Sequence, residues 1–266
     1  MKRVKMGPLL MLPFFLVVLL KGSVPVYAET TGHGTGKIQF EGEYDQILKD
    51  PEHPENEVDP GDSPSTKGDL RIDFVPQFEF WQNEKTTTDA VYLGNAQLFH
   101  GKLGARGNFV QVSDYRGTGK GWSLQVRQET QFKNDNTENK ELNGAVISLD
   151  QSWANSTRSK EEAPIVQKDV IRIDNIGQTY NLAEAKPGSG EGTWSIIFGA
   201  SAENDQGKKE SLTPRLDKEG NPIMDPNFDN KPMYKNDALK LSIPGATKKD
   251  PVTYQTVITW ILSELP

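Results

Sequence analysis

The chain has 266 residues, a formal net charge of −7, three histidines and no cysteine. Bulk attraction does not draw an acidic chain to nucleic acid, to anionic membranes or to anionic wall polymers, so binding to such a surface needs specific short-range contacts. The lack of cysteine excludes disulfides, a lipid-modified cysteine and thiolate metal sites, and three histidines leave little for a catalytic triad or a three-histidine zinc centre.

Lys2, Arg3 and Lys5 precede an apolar run from Pro8 to Leu20, which is shorter than the ~20 residues of a membrane span. Small residues at Val26 and Ala28 mark a cleavage site, so residues 1–28 are expected to be a secretion signal, with the bond between Ala28 and Glu29 cut. Cleavage removes Lys2, Arg3, Lys5 and Lys21 with no acid, which takes the charge from −7 to −11. The 238 residues that remain suffice for one large β domain or two small ones. No second long apolar run follows, so no membrane insertion is expected after processing. No LPxTG-type sorting motif occurs either.

Residues 29–49 hold one alternating run, Lys37-Ile38-Gln39-Phe40-Glu41, read as a short strand. Residues 50–68 are acidic and proline-rich with almost nothing to bury, which predicts a solvated linker or long loop. The main domain is expected at 69–266. It opens on Leu-Arg-Ile-Asp-Phe, with Leu70, Ile72 and Phe74 on one face and Arg71 and Asp73 on the other. Further strands are expected at Asn108–Ser113, Trp122–Gln131, Ala145–Leu149, Val170–Asp174, Thr193–Ala200 and Leu239–Ile243, and over the terminal segment. Asp89–Phe99 carries a helical pattern broken by Gly94, and Asn143-Gly144 is a hairpin-turn pair. Lys209–Asn236, with four prolines, reads as a long surface loop. Many short strands and 24 glycines predict an all-β fold: an antiparallel sandwich or barrel-like single domain with long loops and few short helices.

Little in the chain suggests catalysis. His33 lies in a glycine-rich stretch and His53 in the acidic segment, which leaves His100 alone in the main domain as a surface or turn residue. Gly117-Thr118-Gly119-Lys120-Gly121 is not a phosphate loop, because no Ser or Thr follows Gly119-Lys120; it reads as the hairpin entry to the next strand. Asp225-Pro226-Asn227-Phe228-Asp229 has the first three ligand positions of a calcium loop but neither its glycine nor its glutamate. Thirty-seven acids allow many carboxylate pairs, and nothing singles one out. No enzyme activity and no cofactor are expected.

The informative segments are Gly121-Trp122-Ser123-Leu124-Gln125-Val126-Arg127 and the terminal Tyr254–Pro266. Residues two apart share a strand face, so Trp122, Leu124 and Val126 stand together, as do Tyr254, Thr256, Ile258, Trp260 and Leu262. Trp194, Ile196 and Phe198 repeat the arrangement. The alternation favours core tryptophans, with a sugar-stacking platform as the other reading.

These two Trp-x-Leu motifs resemble those of the WxL domain of Gram-positive surface proteins. That family's distal motif is a tyrosine, three residues, Leu-Thr-Trp, any residue, leucine, three residues and proline. Tyr254, Thr259, Trp260, Leu262 and Pro266 match it, with Ile258 in place of the leucine. The short strand, acidic linker and Leu70–Phe74 entry, and the Gly192-Thr193-Trp194 segment, are similar to the family as well. The resemblance implies a secreted protein held non-covalently on the cell wall with peptidoglycan as ligand, and Trp122, Leu124, Tyr254, Thr259, Trp260, Leu262 and Pro266 as the binding motif or its structural support. It also implies an alternative: a subunit of a surface complex, or a host-matrix adhesin, retained through a larger membrane-anchored protein of the same gene cluster.

Overall fold

The computed structural model describes residues 46–81, 83 and 85–266, and within them alternating segments become strands. The first are Leu70–Phe74 (β1), Ala90–Asn95 (β2), Asn108–Asp114 (β3), Trp122–Gln128 (β4) and Val146–Leu149 (β5). Next come Ser152–Asn155 (β6), Ile165–Val166 (β7), Ile171–Ile173 (β8), Thr179–Ala185 (β9) and Gly192–Phe198 (β10). The last are Leu212–Pro214 (β11), Met224–Asp225 (β12), Lys231–Pro232 (β13), Tyr234–Ile243 (β14) and Ile258–Glu264 (β15). Among the described residues the only helical element is a 3₁₀ turn at Lys160–Glu162, and no helix is long and apolar enough to cross a membrane. The expected leader, its Ala28–Glu29 cleavage and the strand at 37–41 lie outside the described residues.

All pairing is antiparallel, in an open sandwich rather than a closed barrel. One sheet runs β1-β3-β10-β6, a second β15-β4-β9-β7, and a third β11-β14-β5-β8 with β2 on the other edge of β14. The first sheet is covered on both sides. Its inner face, with Val110, Val112, Trp194, Ile196 and Phe198, shares one core with Trp122 and Leu124 of β4 and Ile147 and Leu239 of the third sheet. Its outer face, with Phe109 and Ile197, packs on Phe99 and Trp153 under Leu48 and Val58. This double burial explains the apolar run Ile196-Ile197-Phe198 that ends β10, since a strand buried on both faces loses its alternation.

Several expectations are corrected. Phe74 does not share a face with Ile72. A bulge lies between them, and Phe74 crosses to the outer side, where it stacks on Phe109 with ring centroids 4.7 Å apart. Asp89–Phe99 holds a strand and no helix. Gly94 is there because β2 crosses β14 closely: a Cβ would sit 2.3 Å from Leu239 Cδ2. Lys209–Asn236 is not simply a surface loop, since it contains three short strands and the start of β14, with Leu212 and Met233 buried. The glycine-rich segment before Trp122 is no hairpin, because β3 and β4 belong to different sheets.

The acidic segment that begins at residue 50 is irregular, but it is not solvated at its start. Asp50 and Glu52 are buried, and Arg106 meets Asp50 Oδ1 at 3.1 Å, Glu52 Oε2 at 3.4 Å and Glu203 Oε2 at 2.8 Å. Ser201 donates to Glu52 through its backbone N–H at 2.7 Å and through its hydroxyl. Asn155 Nδ2 donates to the carbonyls of Pro51 and Glu52, and Gln111 bonds the backbone of Ile47 and Lys49. The physical reason is charge pairing: acids that look solvated by composition are buried once a cation and donors meet them.

Arg106→Ala leaves two buried carboxylates without their cation and is expected to cost roughly 3–5 kcal/mol by denaturant unfolding at neutral pH. Burial pushes the Glu52 carboxyl above its ordinary 4.5, so the cost of its ionised form appears as pH rises through that raised value. The penalty of Arg106→Ala is therefore expected to shrink as pH falls through that raised value.

Candidate functional site

The two Trp-x-Leu motifs form a single ladder. β15 pairs with β4 so that Leu262 stands opposite Leu124, Trp260 opposite Val126 and Glu264 opposite Trp122. The two leucines therefore meet at the centre, and the tryptophans lie four residues apart along the pair, about 13 Å. Alternation along β4 turns Trp122, Leu124 and Val126 inward, and all three are fully buried.

The tryptophans differ in environment. Trp122 has no exposed surface, and its Nε1 donates to the Gly190 carbonyl at 3.0 Å. Gly190 has φ 76°, and a Cβ there would lie 2.7 Å from the indole nitrogen, so only glycine fits against the ring. Trp260 is half-buried and meets Phe78 edge-on, with centroids 5.7 Å apart and planes at 71°. The terminal strand is expected inside its sheet, yet among the described residues β15 is the outermost strand, and Ile258 to Leu262 are all half-buried. An edge strand has a neighbour on one side only, which leaves its inward face partly open.

Polar bonds hold β15 in place at both ends. The Tyr254 hydroxyl donates to the Asn139 carbonyl at 2.7 Å and accepts from the Asp250 N–H at 3.0 Å. Asp250 accepts from Thr137 Oγ1 at 2.6 Å and from Asn139 N–H at 2.7 Å and Nδ2 at 2.8 Å, and these bonds hold its carboxyl at about 2. Thr259 bonds the Glu129 carboxylate and, together with Arg127, lowers its pKa. At the far end Glu264 binds Lys120 Nζ at 2.7 Å and also Arg116, whose Nη2 meets Asp114 Oδ2 at 2.7 Å. The lysine bond, first among these, lowers the Glu264 carboxyl. Pro266 is exposed. The structure thus gathers Trp122, Leu124, Tyr254, Trp260 and Leu262 around one core, with Thr259 and Pro266 on its rim.

Glu264, Arg116 and Asp250 are positioning residues that motif spacing alone does not reveal. Residues of opposite charge beside a terminal strand were the one hint.

Other candidates stand apart. His100 is exposed and lies against Phe228 at 5.0 Å. Asp225–Asp229 forms the turn between β12 and β13, and Asp225 accepts from the Asn227 N–H at 2.9 Å. Among the described residues no three or more His, Asp or Glu side chains are grouped to hold a metal. A cleft of about 210 Å³ is lined by Gln77, Glu79, Asn95, Asn108, Phe228 and Tyr234, among others. No Trp-x-Leu residue lines it.

Residues 27–266 match the family described as WxL domain, surface cell wall-binding. That is a family of wall binders and not an enzyme family. No curated protein and no solved structure matches the chain.

The contrast between the tryptophans sets two expectations. Trp122→Ala should cost roughly 3–5 kcal/mol in denaturant unfolding, and Trp260→Ala about 1–3 kcal/mol, because part of its surface stays open at the edge. Asp250 contributes stability that is present above its unfolded value of 3.8 and is lost as pH falls towards about 2. Asp250→Asn should therefore flatten the acid limb of a stability–pH profile over that window.

Proposed function

The chain belongs to the WxL domain family of surface cell-wall binders, and from that premise we propose that it is secreted and held non-covalently on the Gram-positive wall, with peptidoglycan as its ligand. The family match over 27–266 carries this reading. An acidic chain cannot rely on bulk attraction to an anionic wall, so retention rests on shaped contacts. Trp122 and Leu124, with no exposed surface, act as structural support for those contacts. Tyr254 and Thr259 fix the course of β15, and Trp260, Leu262 and Pro266 lie where a wall polymer can reach them.

One observation favours the second reading, a subunit of a surface complex. Among the described residues β15 pairs with β4 alone in its sheet, and an edge strand is a template for a strand from a partner. A larger membrane-anchored protein of the same cell surface, or a host matrix protein, would dock there.

Sedimentation with purified peptidoglycan free of protein separates the two. A wall binder goes to the pellet by itself. Its retention should hold or strengthen as salt rises, since salt screens repulsion between two acidic partners. A subunit that depends on a partner stays in the supernatant until the partner is added.

A further inference from the structure

The cleft of about 210 Å³ lies where β2 meets the β12–β13 hairpin, with Asn95 from the first and Asp225 and Phe228 from the second in its lining. Phe74 and Met233, each 2% exposed, close its floor. Phe228 and Tyr234 are half-buried and offer ring surface within it. The Phe228 ring packs on His100 with centroids 5.0 Å apart, so it is held in place as a wall.

Three carboxylates share the lining: Asp62 and Glu79, which are exposed, and Asp225, which is half-buried. Among the described residues no lysine or arginine lines the cleft. Other sheltered acids of the chain have a cation at hand. Asp73 meets Arg71 at 2.7 Å, Asp50 meets Arg106 at 3.1 Å, and Asp114 meets Arg116 at 2.7 Å. In the cleft, Glu79 accepts from Asn95 Nδ2 at 3.4 Å and Asp225 from the Asn227 N–H at 2.9 Å, which leaves each with acceptor capacity for a donor from outside. Among the described residues no three acids are grouped closely enough to hold a metal ion. Those of the cleft suit a larger cation, one that carboxylate oxygens meet around its edge and that aromatic rings flank.

We propose that this cleft binds a primary ammonium group on an aliphatic stem, such as the free side-chain amine of a diamino acid in a wall peptide. Asp62, Glu79 and Asp225 supply the acceptors for the ammonium, and the stem lies against Phe228 and Tyr234. The proposal rests on the wall-binding reading and names the ligand chemistry within it. It reconciles an acidic protein with an anionic wall, because the contact is made at positive groups of the wall. Inside a cleft, salt screens that pairing less than it screens repulsion between the two surfaces.

Sedimentation titrations of the full chain test it with peptidoglycan stripped of protein and of anionic polymers, before and after its amines are blocked with acetic anhydride. Acetylation keeps the stem and removes the charge. Wild type is expected to bind the acetylated material about tenfold more weakly. Asp62→Asn combined with Glu79→Gln is expected to bind untreated peptidoglycan about tenfold more weakly than wild type does, and to lose little more on acetylation. Thermal unfolding accompanies the titrations. If the double variant melts early, Asp62→Asn decides alone, because that residue is exposed. Equal binding of wild type to both materials overturns the proposal and leaves wall binding standing. An acetylation effect as large in the variant as in wild type also overturns it, because the amine is then recognised elsewhere. A wild-type chain that sediments with neither material overturns both the cleft and the reading beneath it.

Discussion

The structure depends on one pairing, in which the final strand lies antiparallel on β4 with Leu262 opposite Leu124. That register sets every other contact at the end of the chain. It puts Trp260 against Phe78, sets Glu264 beside Lys120 and Arg116, and leaves Tyr254 to tie the approach to Asn139 and Asp250. A slip of one residue would turn Trp260 and Leu262 outward and bring Ile261 and Ser263 in, so the apolar spacing enforces the register. The two motifs are far apart in sequence because the ladder joins the chain end to an early strand.

Around that ladder, polar groups fix the placement of apolar ones. The Trp122 indole needs both its carbonyl partner and the bare Cα of Gly190. The outer face of the first sheet is covered by a segment that a buried arginine holds down through Asp50 and Glu52. Buried ion groups of this kind add little net stability, but they are severe to break, because a lone charge is left behind. They specify where the segment goes more than they strengthen it.

Much of the fold was legible in the sequence. The strict alternation of β4 identified a strand and its inward face, and the spacing Tyr254-Thr259-Trp260-Leu262-Pro266 pointed to the family. What was not legible came from tertiary context. Gly94 looks like a helix breaker until Leu239 is found occupying its Cβ direction. Asp50 and Glu52 look like linker residues because nothing local announces Arg106, which is 56 residues away from Asp50. The bulge that sends Phe74 to the opposite face from Ile72 has no signature in the alternation. For the site, the sequence located the ladder but not its exposure. Which tryptophan is sealed and which is half open depends on strand order, and strand order is a non-local property.

The shared ladder is tested most directly by cross-linking. Ser123 and Ser263 stand opposite each other on its polar side, and the chain has no cysteine to compete. Directly opposite residues on antiparallel strands have Cα atoms about 4.5–5.5 Å apart, within the range a disulfide spans. Ser123→Cys with Ser263→Cys is expected to close an intramolecular disulfide under mild oxidation, seen as loss of free thiol in a monomer that still sediments with the wall. Free thiols that persist in the folded protein, or a disulfide that forms faster when the second cysteine is placed at Ile261, would contradict the register and with it the joining of the two motifs.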